Sequence, residues 1–290
     1  MRHLFAVLML LASVPLFAQE DCDVFNIQEL SAAYLNFSVD STILHSDGSF
    51  EVYLSNGTTY TLVPGCTDPD YTEYDASANV DDGSCATLPS TCGEVEMDGY
   101  TYSVVEIGDQ CWFAENLRTT VYADDSSIPE VYGYSAWTGL STDARCNYGN
   151  NAYYAGTYGR LYNWYAVDNA NGLCPSGWHV PTDGEWTTLE DYITAQGFNG
   201  TEGTALKSTG DWDGGGNGTD NFGFSALPGG YRGTYYGIFH NAGGLGFWWS
   251  SSSNGGDAWG RSMSNSNPGI FRDDYSPRSG FSVRCLRDAD

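Results

Sequence analysis

Two stretches of this chain set oxygen donors close together, and oxygen is what a hard cation takes. "GCTDPDYTEYDASANVDDGSC" carries Asp68, Asp70, Asp75, Asn79, Asp81 and Asp82 between Cys66 and Cys85. "GDWDGGGNGTDNFGF" gathers Asp211, Asp213, Asn217, Asp220 and Asn221 in a glycine-flexible loop. Ca²⁺ takes about six to eight such ligands, and neither spacing is that of an EF-hand loop. Each stretch has two readings. The first is a Ca²⁺-stabilised linker or a bare disulfide-stapled one, and the second is a Ca²⁺ loop or an uncoordinated acidic turn. Calcium is the one cofactor the residues offer, and no organic cofactor is indicated.

Catalysis finds less support. His45, His179 and His240 share no metal-ligand spacing, and no H-E-x-x-H, G-x-S-x-G or phosphate-loop pattern occurs. His179 in "GWHVPT" reads as a structural hydrogen bond ahead of a helix. A glycosidase needs two placed carboxylates, but among 37 Asp and Glu some pair always suits, so that signal carries nothing. No catalytic residue is assigned, and the chain is read as not an enzyme. Against those acids stand 11 Lys and Arg, a formal charge of −26, with Lys207 the only lysine. Phosphate neutralisation needs clustered cations, so nucleic acid is excluded as a partner.

Recognition is the chemistry the composition favours. "GFWWSSSSNGGDAWGRS" sets an aromatic anchor against small polar residues, and "GYRGTYYGIFHNAGG" and "RSMSNSNPGIFRDDYSPRSG" repeat the contrast. Tyr and Trp supply contact area at low entropic cost, while Ser, Asn and Gly adapt their hydrogen bonds. Phe247, Trp248 and Trp249 are therefore expected in a core strand and residues 250–257 in a solvent-facing loop. The candidate ligand contacts are Tyr231, Tyr235, Tyr236, His240, Asn254, Asp257, Trp259, Arg261, Asn265, Arg272, Asp274 and Tyr275, facing a protein or glycan at the cell exterior. A carbohydrate-active enzyme or accessory module, and a structural component of an extracellular assembly, are the rival readings.

These residues must be delivered to the right place and held there. "MRHLFAVLMLLASVPLFAQ" has Arg2 and His3 before an apolar run from Leu4 to Leu16 and a small Ala18. The run is shorter than the roughly 20 residues a bilayer crossing takes, so residues 1–18 read as a cleaved signal peptide. The expected location is secreted, extracellular or cell-surface, with the periplasm open and no membrane span after cleavage. All eight cysteines, Cys22, Cys66, Cys85, Cys92, Cys111, Cys146, Cys174 and Cys285, lie in the exported part without a C-x-x-C pair. An even count in an oxidising compartment favours disulfides.

Residues 19–65 form a small unit with helix-compatible spacing from Phe25 to Leu35, then two alternating runs joined at Asn56-Gly57, a hairpin signal. Residues 66–85 are the acidic Cys-bounded module. Residues 92–288 form one aromatic- and glycine-rich domain of a size suited to a single core. In it a strand pair turns at Gly108-Asp109, and "YGRLYNWYAV" spaces Leu161, Trp164 and Tyr165 along a helical face. "PTDGEWTTLEDYI" starts a second helix, with Thr182 and Glu185 as a capping box and Trp186, Leu189 and Ile193 as the buried stripe.

"DGYTYSVVEIGDQCWFAENLR", "YGRLYNWYAV", "LCPSGWHVPTDGEW", "NFGFSALPGGYRG", "FWWSSS" and "GFSVRCLRD" occur in this order. Together they resemble the Fibrobacter succinogenes major paralogous domain, a family of exported bacterial domains, over residues 92–288. The resemblance implies an α+β fold of C-type-lectin-like type, related to the formylglycine-generating enzyme, with two helices on small twisted antiparallel sheets and paired first and last strands. It joins Cys174 to Cys285. The other expected pairs are Cys66 with Cys85, Cys111 with Cys146 and Cys22 with Cys92. The related oxidase's reactive cysteine pair is missing, as are the Ca²⁺-dependent sugar motifs of animal lectins, so neither activity carries over. The acidic module resembles a short "GCTD…NY…A…DDGSC" unit between domains of secreted bacterial proteins, with Tyr74 where that pattern has Asn-Tyr.

Overall fold

The structure, a computed structural model, describes residues 39–81, apart from 47, 56, 58, 68 and 70–73, and residues 92–289. The expected signal peptide, the helix at 25–35, Asn56, Asp68, Asp70, Asp82, Cys22 and Cys85 lie outside the described residues. The chain forms two compact units, Met1–Pro89 and Ser90–Asp290.

In the first unit β1 (Val39–Leu44), β2 (Phe50–Leu54) and β3 (Thr59–Leu62) make an antiparallel meander in that order. Val52, Leu54 and Leu62 are buried, as the two-residue period of a half-buried sheet requires. Gly57 takes the turn with φ +82°, a conformation that costs glycine little. The acidic segment then closes through β4 (Pro64–Gly65), parallel to β5 (Val80–Asp81). Asn79 accepts from Val63 N at 2.9 Å and donates to Thr61 O at 2.9 Å, and Asp75 accepts from the Ser77 amide and hydroxyl at 2.8 and 2.6 Å. Cys66 is disulfide-bonded.

The second unit is α+β. A hairpin of β6 (Val95–Met97) and β7 (Tyr100–Tyr102) precedes β8 (Val104–Ile107) and β9 (Gln110–Phe113), which turn at Gly108-Asp109 as expected. There follow α1 (Tyr134–Thr138), β10 (Arg145–Cys146), α2 (Ala152–Tyr158), β11 (Leu161–Tyr162), α3 (Trp164–Val167), α4 (Asp183–Ile193) and α5 (Glu202–Leu206). A short ladder of β12 (Tyr231–Arg232) and β13 (Phe239–His240) leads into a meander of β14 (Leu245–Asn254), β15 (Asp257–Ser264) and β16 (Asn267–Tyr275). The last strand, β17 (Leu286–Asp288), lies against β9, so early and late strands share one sheet.

The meander separates two cores. Adjacent strand residues face opposite ways, so Trp248 joins Trp112, Trp186 and Phe224 while Trp249 joins Tyr162, Phe281 and Val283. Both tryptophans are wholly buried, and each indole N–H finds an acceptor at 2.8 Å, Asn116 Oδ1 for Trp248 and Tyr162 O for Trp249. Helix α4 has its capping box: the Thr182 hydroxyl accepts from Glu185 N, Glu185 accepts from Thr182 N, and Trp186, Leu189 and Ile193 are buried.

Three expectations fail. Leu161 lies in β11, not on a helix; Asn163 follows, accepting from Ala144 N and Ala166 N, and α3 starts only at Trp164. Residues 250–257 are no loop, because β14 runs to Asn254, only Gly255-Gly256 turn, and Ser250 is buried. Cys111 bonds Cys92 and not Cys146, which also removes the pairing of Cys22 with Cys92. Cys146 is a free thiol in a separate small core with Trp137, Ala144 and Leu161, and burial pushes it up to about 12. Cys174–Cys285 forms as the resemblance implied.

Candidate ligand-binding surface

Arg232 is wholly buried, yet no carboxylate pairs with it among the described residues. Its guanidinium lies over the rings of Trp137 (4.3 Å) and Phe239 (4.8 Å) and gives its protons to backbone carbonyls. Nε donates to Gly237 O at 2.8 Å, Nη1 to Val131 O at 2.6 Å, and Nη2 to Tyr132 O and Gly133 O at 2.8 and 3.2 Å. One rigid fork thus ties the segment before α1 to the turn between β12 and β13. Gly237 completes the joint: its φ is +65°, and a Cβ there would fall 2.4 Å from Tyr134 O.

What the clamp presents is tyrosine. Tyr132 and Tyr134 from one segment are each 54% exposed, and Tyr235 and Tyr236 from the other are 87% and 71% exposed. Asn150 donates to Tyr132 O at 3.0 Å and so attaches the turn before α2, which carries Tyr153 at 75% exposure. Beneath these the rings are continuous. Phe239 meets Tyr148 (5.4 Å), Tyr148 meets Tyr154 (5.5 Å), and Tyr154 meets both Tyr153 (5.8 Å) and Tyr158 (5.9 Å). Large exposed apolar groups scattered singly are ordinary, but a contiguous set marks an interaction surface.

Carboxylates border this surface and its nearby cations are already engaged. Glu130 pairs with Arg145 at 3.2 Å, and its hydrogen bond to the Tyr132 phenol holds that group above its usual range. Burial, with Asp211 and Asp213 nearby, pushes the Tyr158 phenol up. Arg160 donates to Arg118 O and Asn147 Oδ1, and Arg278 donates to Thr138 O at the end of α1.

The twelve residues chosen from sequence do not share one surface. Tyr235 and Tyr236 belong to the tyrosine set. Tyr231 and His240 stack at 5.0 Å at the base of the same hairpin, half-buried, with Tyr231 against Phe247. A second group lies on the meander, where Arg272 covers the Trp259 ring at 3.5 Å and grips Asp183 at 2.8 and 2.9 Å. Asn254 donates to Asp274 at 3.1 Å beside the exposed Asp257. Asn265 donates to Asp213 O at 3.2 Å.

Arg261 and Tyr275 are corrections. Arg261 is wholly buried, bonding Glu190 at 2.5 Å and Asp183 at 2.7 Å, because its strand face is covered by α4. Burial pushes Glu190 above its usual value; burial also acts to raise Asp183, but the bonds from Arg272 and Arg261 prevail and hold it below. Tyr275 packs half-buried on Phe281 and Phe247, on the opposite face.

In the second acidic stretch Asn217 and Asp220 spend their oxygens within the loop. Asn217 accepts from Trp212 N at 3.0 Å, and Asp220 accepts from the Ser225 amide and hydroxyl at 2.7 and 2.5 Å. Among the described residues no group of three or more His, Cys, Asp or Glu is arranged to hold a metal. His179 bonds Glu185 at 2.8 Å, just ahead of α4.

Tyr132, Tyr134, Tyr153 and Arg232 went unseen in sequence. A signal was there, since "VYGYSAW" and "NYGNNAYYAGTYG" mix Tyr with Gly, Asn and Ser as the later segments do. Residues 105–287 match the family model of the Fibrobacter succinogenes major domain. No curated protein and no solved structure matches the chain.

Proposed function

The chain belongs to the Fibrobacter succinogenes major domain family, and we propose that it is a secreted or cell-surface binding protein, non-catalytic, that holds a protein or glycan ligand on its tyrosine surface. The observation that carries this reading is the convergence of five exposed tyrosines, from three chain segments, on a frame held by the buried Arg232. Ordered rings lose little entropy on contact, which is how large aromatic side chains come to dominate interfaces. The Cys92–Cys111 and Cys174–Cys285 bridges fit an oxidising compartment, and no helix among the described residues is long and apolar enough to cross a membrane. A C-type-lectin-like fold is the finer reading of the second unit; the pairing of β9 with β17 and the packing of α4 on the meander support it.

The test is a series of Tyr→Ala variants at 132, 134, 153, 235 and 236, scored for melting and for capture on glycan and outer-surface protein arrays. Each change should leave stability within roughly 0.5 kcal/mol, the usual range for surface positions, while capture collapses for the central rings. Capture that survives the combined removal of Tyr153, Tyr235 and Tyr236 would place the binding surface elsewhere.

A further inference from the structure

We infer that the ligand of the tyrosine surface is a neutral polysaccharide, an inference that rests on the binding reading above. The first argument is electrostatic. Arg232, Arg145 and Arg160 beneath the rings are consumed by carbonyls, by Glu130 and by Asn147, and among the described residues Arg278, which already donates to Thr138 O, is the one exposed guanidinium nearby. Carboxylates stand at the border instead, at Glu130, Asp211 and Asp213, on a chain of formal charge −26. An anionic ligand would meet more carboxylate than free guanidinium here, which disfavours it.

The second argument is the kind of apolar group on display. A protein-binding core brings several types of large apolar side chain. On this surface the exposed large hydrophobics are tyrosines, with Ile238 the exception at 37%. Each tyrosine offers a flat apolar face and a hydroxyl that both donates and accepts. Those two properties match a pyranose ring, which has an apolar C–H face and a rim of hydroxyls. The third argument is extent: the exposed tyrosines come from three chain segments, Tyr132 with Tyr134, Tyr153, and Tyr235 with Tyr236, the last two with ring centroids 5.8 Å apart. Contacts drawn from three segments suit a chain of sugars better than a single one.

The experiment is co-sedimentation of the full chain with insoluble cellulose, xylan and mannan, alongside affinity electrophoresis in polygalacturonate and capture on immobilised polylysine. At least one neutral polysaccharide should retain the protein, with little change between low and roughly half-molar salt because no ion pair is involved. Tyr153→Ala with Tyr235→Ala should weaken retention by about tenfold or more. Tyr153→Phe with Tyr235→Phe should lose less. Retention only by polygalacturonate or polylysine, released by salt, overturns the inference, as does neutral-glycan retention indifferent to the tyrosine pair. A protein ligand captured through these tyrosines with no neutral glycan retained also overturns it while leaving the binding reading intact. Failure of every probe on the arrays and in sedimentation sinks both.

Discussion

Replacing Arg232 by Met keeps an unbranched side chain of similar length and removes the donors that hold two tyrosine-bearing segments together. Four carbonyls lose a partner, those of Val131, Tyr132, Gly133 and Gly237. The bond to Gly237 is buried and the other three are part-buried. A buried acceptor left unmade costs about 1–3 kcal/mol, and a part-buried one that water can reach costs nearer 0.5–1.5 kcal/mol. Relief of the cation's own desolvation offsets part of that total, leaving an expected loss of about 3–5 kcal/mol. Arg232→Lys should recover less than half, since an ammonium cannot reproduce the planar fork. Urea denaturation gives the loss, and hydrogen exchange gives its location. Protection should fall at Val131 N and Gly233 N, which bond Arg145 O and Ile238 O, and stay unchanged in α4. A loss below about 1 kcal/mol with these amides still protected would refute the clamp, and a loss spread evenly through α4 would mean that Arg232 supports the whole fold and not the surface.

Removing the Cys174–Cys285 bridge, which closes a separation of 111 residues, should cost about 4–5 kcal/mol, against about 3 for Cys92–Cys111 with its separation of 19; paired Cys→Ala variants compared in denaturant decide this, and equal costs would speak against the loop-entropy account. Asp183, held low by Arg272 and Arg261 against its burial, and Glu185, held low by the Thr182 amide and His179 against its burial, are depressed carboxylates. Their stabilisation is present above the ordinary value near 4 and is lost as pH falls through the folded value, so melting temperature should drop below about pH 4 and Asp183→Asn should flatten that limb. Cys146, buried and pushed up to about 12, should resist iodoacetamide near neutral pH and react once the chain is unfolded, as peptide mapping would report.

Local chemistry was readable from sequence because its causes are local. Thr182 and Glu185 lie three residues apart, so their mutual cap needs nothing from the rest of the chain. The stripe of Trp186, Leu189 and Ile193 and the paired tryptophans at 248 and 249 follow from helix and strand periods. Arg261 shows where such reasoning stops. A charged residue between small ones reads as surface, and its burial is decided by Asp183 and Glu190, 78 and 71 residues away. The same holds for Arg232, three of whose four acceptors lie about a hundred residues upstream. Cys111 could not be assigned for the same reason, since spacing alone does not say which thiol the β8–β9 hairpin brings to 5.5 Å between Cα atoms. The serine run after Trp249 misled for a different reason. Serine is common in loops, but here it fills an irregularity in a strand that resumes its pairing with β15 at Ser253, and Ser251 N bonds Pro181 O instead.

The pairing of β17 with β9 has a mechanical side. Leu286, Arg287 and Asp288 lie opposite Trp112, Cys111 and Gln110, and Cys111 is bonded to Cys92. Tension applied between residues 92 and 288 would enter β9 through a covalent bond and leave through the rungs of the ladder with β17, with His179 bonded to Leu286 on its other edge, so the covalent chain between Phe113 and Cys285 is bypassed. When those rungs part, the Cys174–Cys285 bridge shields the meander and confines the slack to the chain between Cys111 and Cys174, the stretch that carries Tyr132, Tyr134 and Tyr153. The short ladder acts as a fuse: the tyrosine surface feels no load until it breaks, and afterwards the segments carrying Tyr132, Tyr134 and Tyr153 unravel while Tyr235 and Tyr236 stay behind the bridge.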